Sequence, residues 1–108
     1  MTHKEISDII KSIGLPFAYY EFPDDTDQEP PFICFYYPES DDLYADNINY
    51  AGIRRLYVEL YTDEKDFERE ATVETVLNSN GFSFRKSELY IESERMWQIT
   101  YQTEVVLS

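Results

Sequence analysis

The chain has 108 residues, 22 of them acidic and nine basic, for a formal net charge of -13. That length suits one domain with its own core and no need of disulfides or metal, and so negative a balance argues against direct binding to DNA, RNA or an anionic membrane surface, all of which require positive potential. Hydrophobic residues at 43% supply enough apolar surface to offset the entropy of ordering, so a disordered segment is excluded too.

The imbalance is uneven. Between Lys11 and Arg54 there is no Lys or Arg, while Glu21, Asp24, Asp25, Asp27, Glu29, Glu39, Asp41, Asp42 and Asp46 all fall in that interval. Cys34 is the single cysteine, so no intrachain disulfide can form. No apolar run follows a basic start, and no stretch of roughly 18 apolar residues occurs, so a soluble protein without a standard secretion signal or membrane span is expected.

In chain order, Thr2-His3-Lys4-Glu5 matches a capping box, in which the Thr hydroxyl and Glu carboxylate each satisfy a backbone amide at a helix start. Ile6, Ile9, Ile10 and Ile13 then form one narrow apolar stripe, and Gly14-Leu15-Pro16 stops the helix. Phe17 to Phe22 reads as a short aromatic strand. Pro23 through Pro31 is a polar, proline-bounded loop with four acidic residues. The apolar run Phe32 to Tyr37 suits a central strand buried on both faces. Pro38 to Asn49 is a second acidic connection, with a short strand around Leu43 and Tyr44, and Tyr50 to Tyr61 is expected as one long strand.

Within that strand Leu56, Val58 and Leu60 alternate with Tyr57, Glu59 and Tyr61, the two-residue period of a two-faced strand. Thr62 to Asp66 halts the alternation and offers side-chain oxygens to a helix start. Phe67, Ala71, Val73, Val76 and Leu77 follow at near-helical spacing, and Gly81 sits where a left-handed cap is needed. Phe82, Phe84 and Lys86 alternate with Ser83, Arg85 and Ser87, resuming at Leu89 to Ile91 after a bulge. Glu92-Ser93-Glu94 makes the turn, and Met96 to Val106 is the clearest half-buried strand of the chain. This order predicts a single α+β domain, a mainly antiparallel sheet of four or five strands with two helices packed on one face.

Chemistry finds little support. His3, the only histidine, lies in a first helical turn with no nucleophile to serve. Cys34 sits in an apolar strand, where a small buried thiol is commoner than a thiolate held by a nearby cation. Asp25, Asp27 and Glu29 alternate as calcium ligands do, but Pro30 stands where glycine is needed and Tyr36 where the bidentate glutamate belongs. The three glycines, at 14, 52 and 81, make no phosphate loop. Nothing in the turn holding Glu92 and Glu94 would separate their pKa values. The expectation is a protein without catalytic residues, metal or cofactor.

The tyrosines are more informative. Arg55, Tyr57, Glu59 and Tyr61 share one face of the long strand and are residue types enriched in protein interfaces, while Trp97 and Tyr101 belong to the other well-patterned strand. Two readings stand for the tyrosine face: an oligomer interface, or a solvated sheet face covered by side chains with apolar bodies and wet tips.

The segment VELYTDEKD at 58–66, the helix closed by Asn80-Gly81-Phe82, and YIESERMWQITYQTEVV at 90–106 together resemble a family of small proteins from prophages and siphophages of low-GC Gram-positive bacteria. Members lie in the virion-assembly block of the genome and are similar in fold and role to tail-terminator or head-tail joining proteins. The similarity spans nearly the whole chain, including the opening helix and its Gly-Leu-Pro stop, and the shared motifs are structural. The resemblance implies a non-enzymatic α+β protomer that forms a ring, hexameric when assembled, at the head-proximal end of the tail tube. Its partners would be its own copies, the tail tube and head-tail connector proteins. It would be found in the virion, and in the host bacterial cytoplasm during assembly.

Such a ring needs a head-to-tail contact between two different patches. The tyrosine face offers one. The acidic loops with Asp24, Asp25, Asp27, Glu29, Asp41, Asp42 and Asp46 would then line the lumen, where negative walls repel passing DNA, or face a basic partner. The competing reading is an acidic DNA mimic or host-factor inhibitor encoded by a phage, its carboxylates filling the basic groove of a nucleic-acid enzyme.

Overall fold

The computed structural model describes residues 1–23, 27–38, 44–45, 48–49 and 52–108. Asp24, Asp25, Asp41, Asp42 and Asp46, with Leu43 and Tyr50, lie outside the described residues. Helix α1 (His3–Lys11) begins with the complete Thr2 and Glu5 capping box, and its Ile6 and Ile10 are buried. Strand β1 (Phe17–Tyr19) is shorter than the aromatic run suggests, because Tyr20 takes a φ of 70° and turns the chain out of the strand. Strand β2 (Phe32–Tyr36) follows, then a separate two-stranded hairpin, β3 (Tyr44–Ala45) with β4 (Ile48–Asn49), and the long strand β5 (Ile53–Thr62).

Asp66 caps helix α2 (Phe67–Ser79), its carboxylate accepting from the Arg69 amide at 3.0 Å. At the far end Gly81 adopts φ 82°, which lets the Phe82 amide reach the Leu77 carbonyl and the Gly81 amide reach that of Asn78, a complete Schellman closure. Strand β6 (Arg85–Ile91) is continuous. No bulge interrupts its pairing with β7 (Met96–Val106), from Arg85 opposite Gln102 to Ile91 opposite Met96. The turn between them carries Arg95 at φ 53°.

The sheet runs β1-β2-β5-β7-β6, antiparallel except for the β1–β2 pair. Both helices cover one face. Ile6 and Ile10 from α1 and Val73 and Leu77 from α2 join Ile33, Phe35, Leu56, Val58, Leu60, Ile99, Tyr101 and Val105 in a single core, with Phe82 closing its end. No helix among the described residues is long and apolar enough to cross a membrane.

Helix α2 departs from the stripe its sequence suggests. Phe67 is 72% exposed and Ala71 also faces solvent, whereas Glu70 is 2% exposed. The buried side is Glu70, Val73 and Leu77, and ion pairs make it possible. Lys65 Nζ lies 2.7 Å from one Glu70 oxygen and Lys86 Nζ 2.8 Å from the other. Lys65 also reaches Glu88 at 3.0 Å and Lys86 reaches Glu74 at 2.8 Å, where the Tyr101 hydroxyl donates at 2.9 Å. Burial pushes the Glu70 carboxyl up, but the hydrogen bonds from Lys65 and Lys86 outweigh it and hold its pKa below the ordinary value. The helix is thus seated on the β6–β7 side of the sheet by charge as well as by Val73 and Leu77.

Two substitutions test this account. Gly81→Ala places a Cβ at positive φ and should cost about 1 kcal/mol, read as a fall of roughly 5 °C in thermal unfolding followed by circular dichroism. Glu70→Ala removes the buried carboxylate that Lys65 and Lys86 share, leaving them Glu88 and Glu74, and should cost about 2 kcal/mol, discounted from the fully buried case because both lysines are partly solvated. Since the Glu70 pKa is lowered by folding, its contribution is present above the ordinary glutamate value and is lost as pH falls through the folded value. The gap between wild type and the variant should therefore narrow on acidification.

Candidate functional site

Strand alternation places Arg55, Tyr57, Glu59 and Tyr61 on the face of β5 that the helices leave bare. The cross-strand neighbours are Phe32, Cys34 and Tyr36 on β2 and Gln98, Thr100, Gln102 and Glu104 on β7. Phe32 stacks on Tyr61 with ring centres 4.8 Å apart, and Tyr36 meets Tyr57 at 5.5 Å. The chain leaving β1 extends the band, with Tyr20 against Tyr36 and Phe22 against Phe32. Six aromatic rings therefore form two parallel rows across the open face.

Glu59 lies between these rows. Although no helix covers it, it is only 8% exposed. Tyr61 Oη donates to Glu59 Oε1 at 3.2 Å, and Gln98 Nε2 donates to Oε2 at 2.9 Å and to Tyr61 Oη at 2.8 Å. Burial raises the Glu59 pKa, opposed in part by hydrogen bonds from Tyr61 and Tyr36. The same burial, with Glu59 beside it, raises Tyr61 and lifts Tyr36 to about 12. At neutral pH the tyrosines are neutral donors gathered around one carboxyl group. The patch is aromatic and hydrogen-bonding.

The other candidates resolve differently. The Cys34 thiol is pushed up to about 11 by burial, with Glu59 and Glu21 adding to the effect, the opposite of the lowered value that activates a cysteine. His3 Nδ1 lies 2.7 Å from Tyr37 Oη, and its ring packs among Tyr19, Phe35 and Tyr37, a structural setting. Among the described residues no three His, Cys, Asp or Glu side chains converge on a metal position. Asp27 and Glu29 are exposed in the connection between β1 and β2. Trp97 and Tyr101 point to the helix-covered face, away from Tyr57.

The structure joins Tyr57, Glu59 and Tyr61 with Phe32, Tyr36 and Gln98, which sequence patterning did not single out. Phe32-Ile33-Cys34-Phe35-Tyr36 is apolar on both faces and shows no alternation. The wet tip of Tyr36 was the one available hint that this strand has an open side.

No protein-family model matches the chain, and no curated protein matches it. Among solved structures, a chain of the virion of a native gene transfer agent particle shares the fold. The TM-score is 0.62 at 12% sequence identity, over 91% of this chain and 82% of that one.

The Glu59 environment has a measurable consequence. Because its folded pKa lies above the ordinary 4.5, the folded state holds this proton more tightly, and stability contributed by Glu59 falls as pH rises through the raised value. Glu59→Gln should therefore gain stability relative to wild type in urea unfolding as pH rises from below the ordinary glutamate value through the raised one. An unchanged difference across that range would mean that Glu59 titrates normally.

Proposed function

We propose that this protein is a non-enzymatic structural protein of a phage or prophage virion, a ring-forming tail terminator or head-tail joining protein at the head-proximal end of the tail tube. The observation that carries the reading is the shared fold with a chain of a gene transfer agent virion, aligned over most of both chains. The sequence resemblance to the siphophage family points the same way. The open aromatic face supports it, with Tyr and Phe at its centre and hydrogen-bonding groups between them, the residue types that protein contacts favour.

In this reading the contact is made through Tyr57, Tyr61 and Glu59, with Arg55 at its margin. The partners are further copies in a hexameric ring, the tail tube and the connector. The acidic connections, Asp27 and Glu29 among them, face either the lumen, where negative walls let DNA pass without being held, or a basic group on a neighbour.

Light scattering over a concentration series at two salt levels tests this. A species near six protomers is expected, and Tyr57→Ser with Tyr61→Ser should return it to the protomer mass without loss of helical signal. A protein that stays monomeric and does not co-purify with tails, yet binds a host DNA-binding protein in a salt-sensitive way, would overturn the ring in favour of the inhibitor.

A further inference from the structure

A head-to-tail contact needs a second patch, and the far edge of the sheet provides one, adjoining the tyrosine face at Arg55 and Gln102. On β7, pairing with β6 ends at Gln102 while pairing with β5 continues to Val106. At Glu104 the strand therefore has a strand neighbour on one side alone among the described residues. The stretch from Gly81 to Phe84 stands off from it, tied by Thr103 Oγ1 donating to the Ser83 carbonyl at 2.5 Å. The result is an open cleft of about 660 Å³ lined by Arg55, Ser83, Arg85, Gln102, Thr103 and Glu104.

Its chemistry is unusual for so acidic a chain. Arg85 presents a guanidinium fork, which binds a carboxylate through two parallel hydrogen bonds. The Gln102 amide and Ser83 hydroxyl add neutral donors. Glu104, opposite Arg55 in register, opposes a second negative charge. Such a cleft suits an extended segment that sets one carboxylate against Arg85 and holds any other clear of Glu104, and it disfavours a polyphosphate chain.

We propose that the cleft receives the acidic segment Asp27-Gln28-Glu29 of a second copy of this chain, an assignment that rests on the ring reading. That segment joins β1 to β2 at the opposite edge of the sheet, four strand spacings or ~19 Å from β6. It cannot fold back to its own cleft, but it can enter that of a neighbour. Glu29 precedes Pro30, which biases it to extended backbone, the form an open strand side accepts. One edge acidic and the other bearing Arg85 makes a contact that repeats in one direction, the arrangement that closes into a ring.

Disulfide trapping tests the docking with its charges intact. In full-length protein with Cys34→Ala, the pair Gln28→Cys and Ser83→Cys should give, under mild oxidation, a ladder beyond the dimer on a non-reducing gel. Either cysteine alone should stop at the dimer. Adding Arg85→Glu should cut the yield beyond dimer by at least about tenfold, and adding Glu29→Arg to that variant should restore it. A ladder indifferent to Arg85→Glu, or one ending at the dimer while the unmodified protein shows ring mass in light scattering, overturns the docking and leaves the ring reading in place. A missing ladder together with a wild type that stays monomeric and does not co-purify with tails overturns both.

Discussion

Everything in this fold depends on the ladder between β5 and β7, ten residue pairs from Ile53 opposite Val106 to Thr62 opposite Trp97. Its register decides which side chains enter the core and which remain on the open face. Leu56, Val58 and Leu60 align with Thr103, Tyr101 and Ile99 under the helices, while Tyr57, Glu59 and Tyr61 align with Gln102, Thr100 and Gln98 on the other side. A slip of one residue would bury Glu59 among isoleucines and expose the core, so the apolar face enforces the geometry of the polar one. The aromatic rows and the carboxyl group between them are held in place by packing on the face they do not share.

Charge is handled with the same economy. The chain has nine basic residues, and two of them, Lys65 and Lys86, are committed to glutamates at the foot of α2. Arg85 precedes Lys86 by one position, and strand alternation sends it to the opposite face. Neighbours in sequence thus take different work, Lys86 in seating a helix over Glu70 and Arg85 in lining a cleft at the sheet edge. On the open face the groups that act on Glu59 are the hydroxyls of Tyr61 and Tyr36 and the Gln98 amide. Glu59 is accommodated by these neutral donors, and so carries a raised pKa where Glu70 carries a lowered one. Two buried glutamates 11 positions apart are opposite cases of the same rule, that the partner decides which protonation state burial favours.

Local patterning determined a good deal. The capping box at Thr2, the isoleucine stripe of α1, the two faces of β5, the Asp66 corner, the Gly81 closure and the whole of β7 are readable from residue spacing. Each reflects interactions within a few positions of the chain. What spacing did not reveal involved distant partners. Glu70 is buried because Lys65 and Lys86 reach it, and Phe67 is exposed because that charged seat sets the rotation of α2. The open side of β2 followed from both helices landing on the other face, a choice its uniformly apolar sequence does not encode. The parallel pairing of β1 and the notch beside Glu104 likewise exist only once strands have neighbours. Sequence by itself determined the elements, because caps, turns and alternation act over short range. Tertiary structure alone decided which polar groups are paired, buried or left on a surface, because those outcomes depend on side chains that meet only across the sheet.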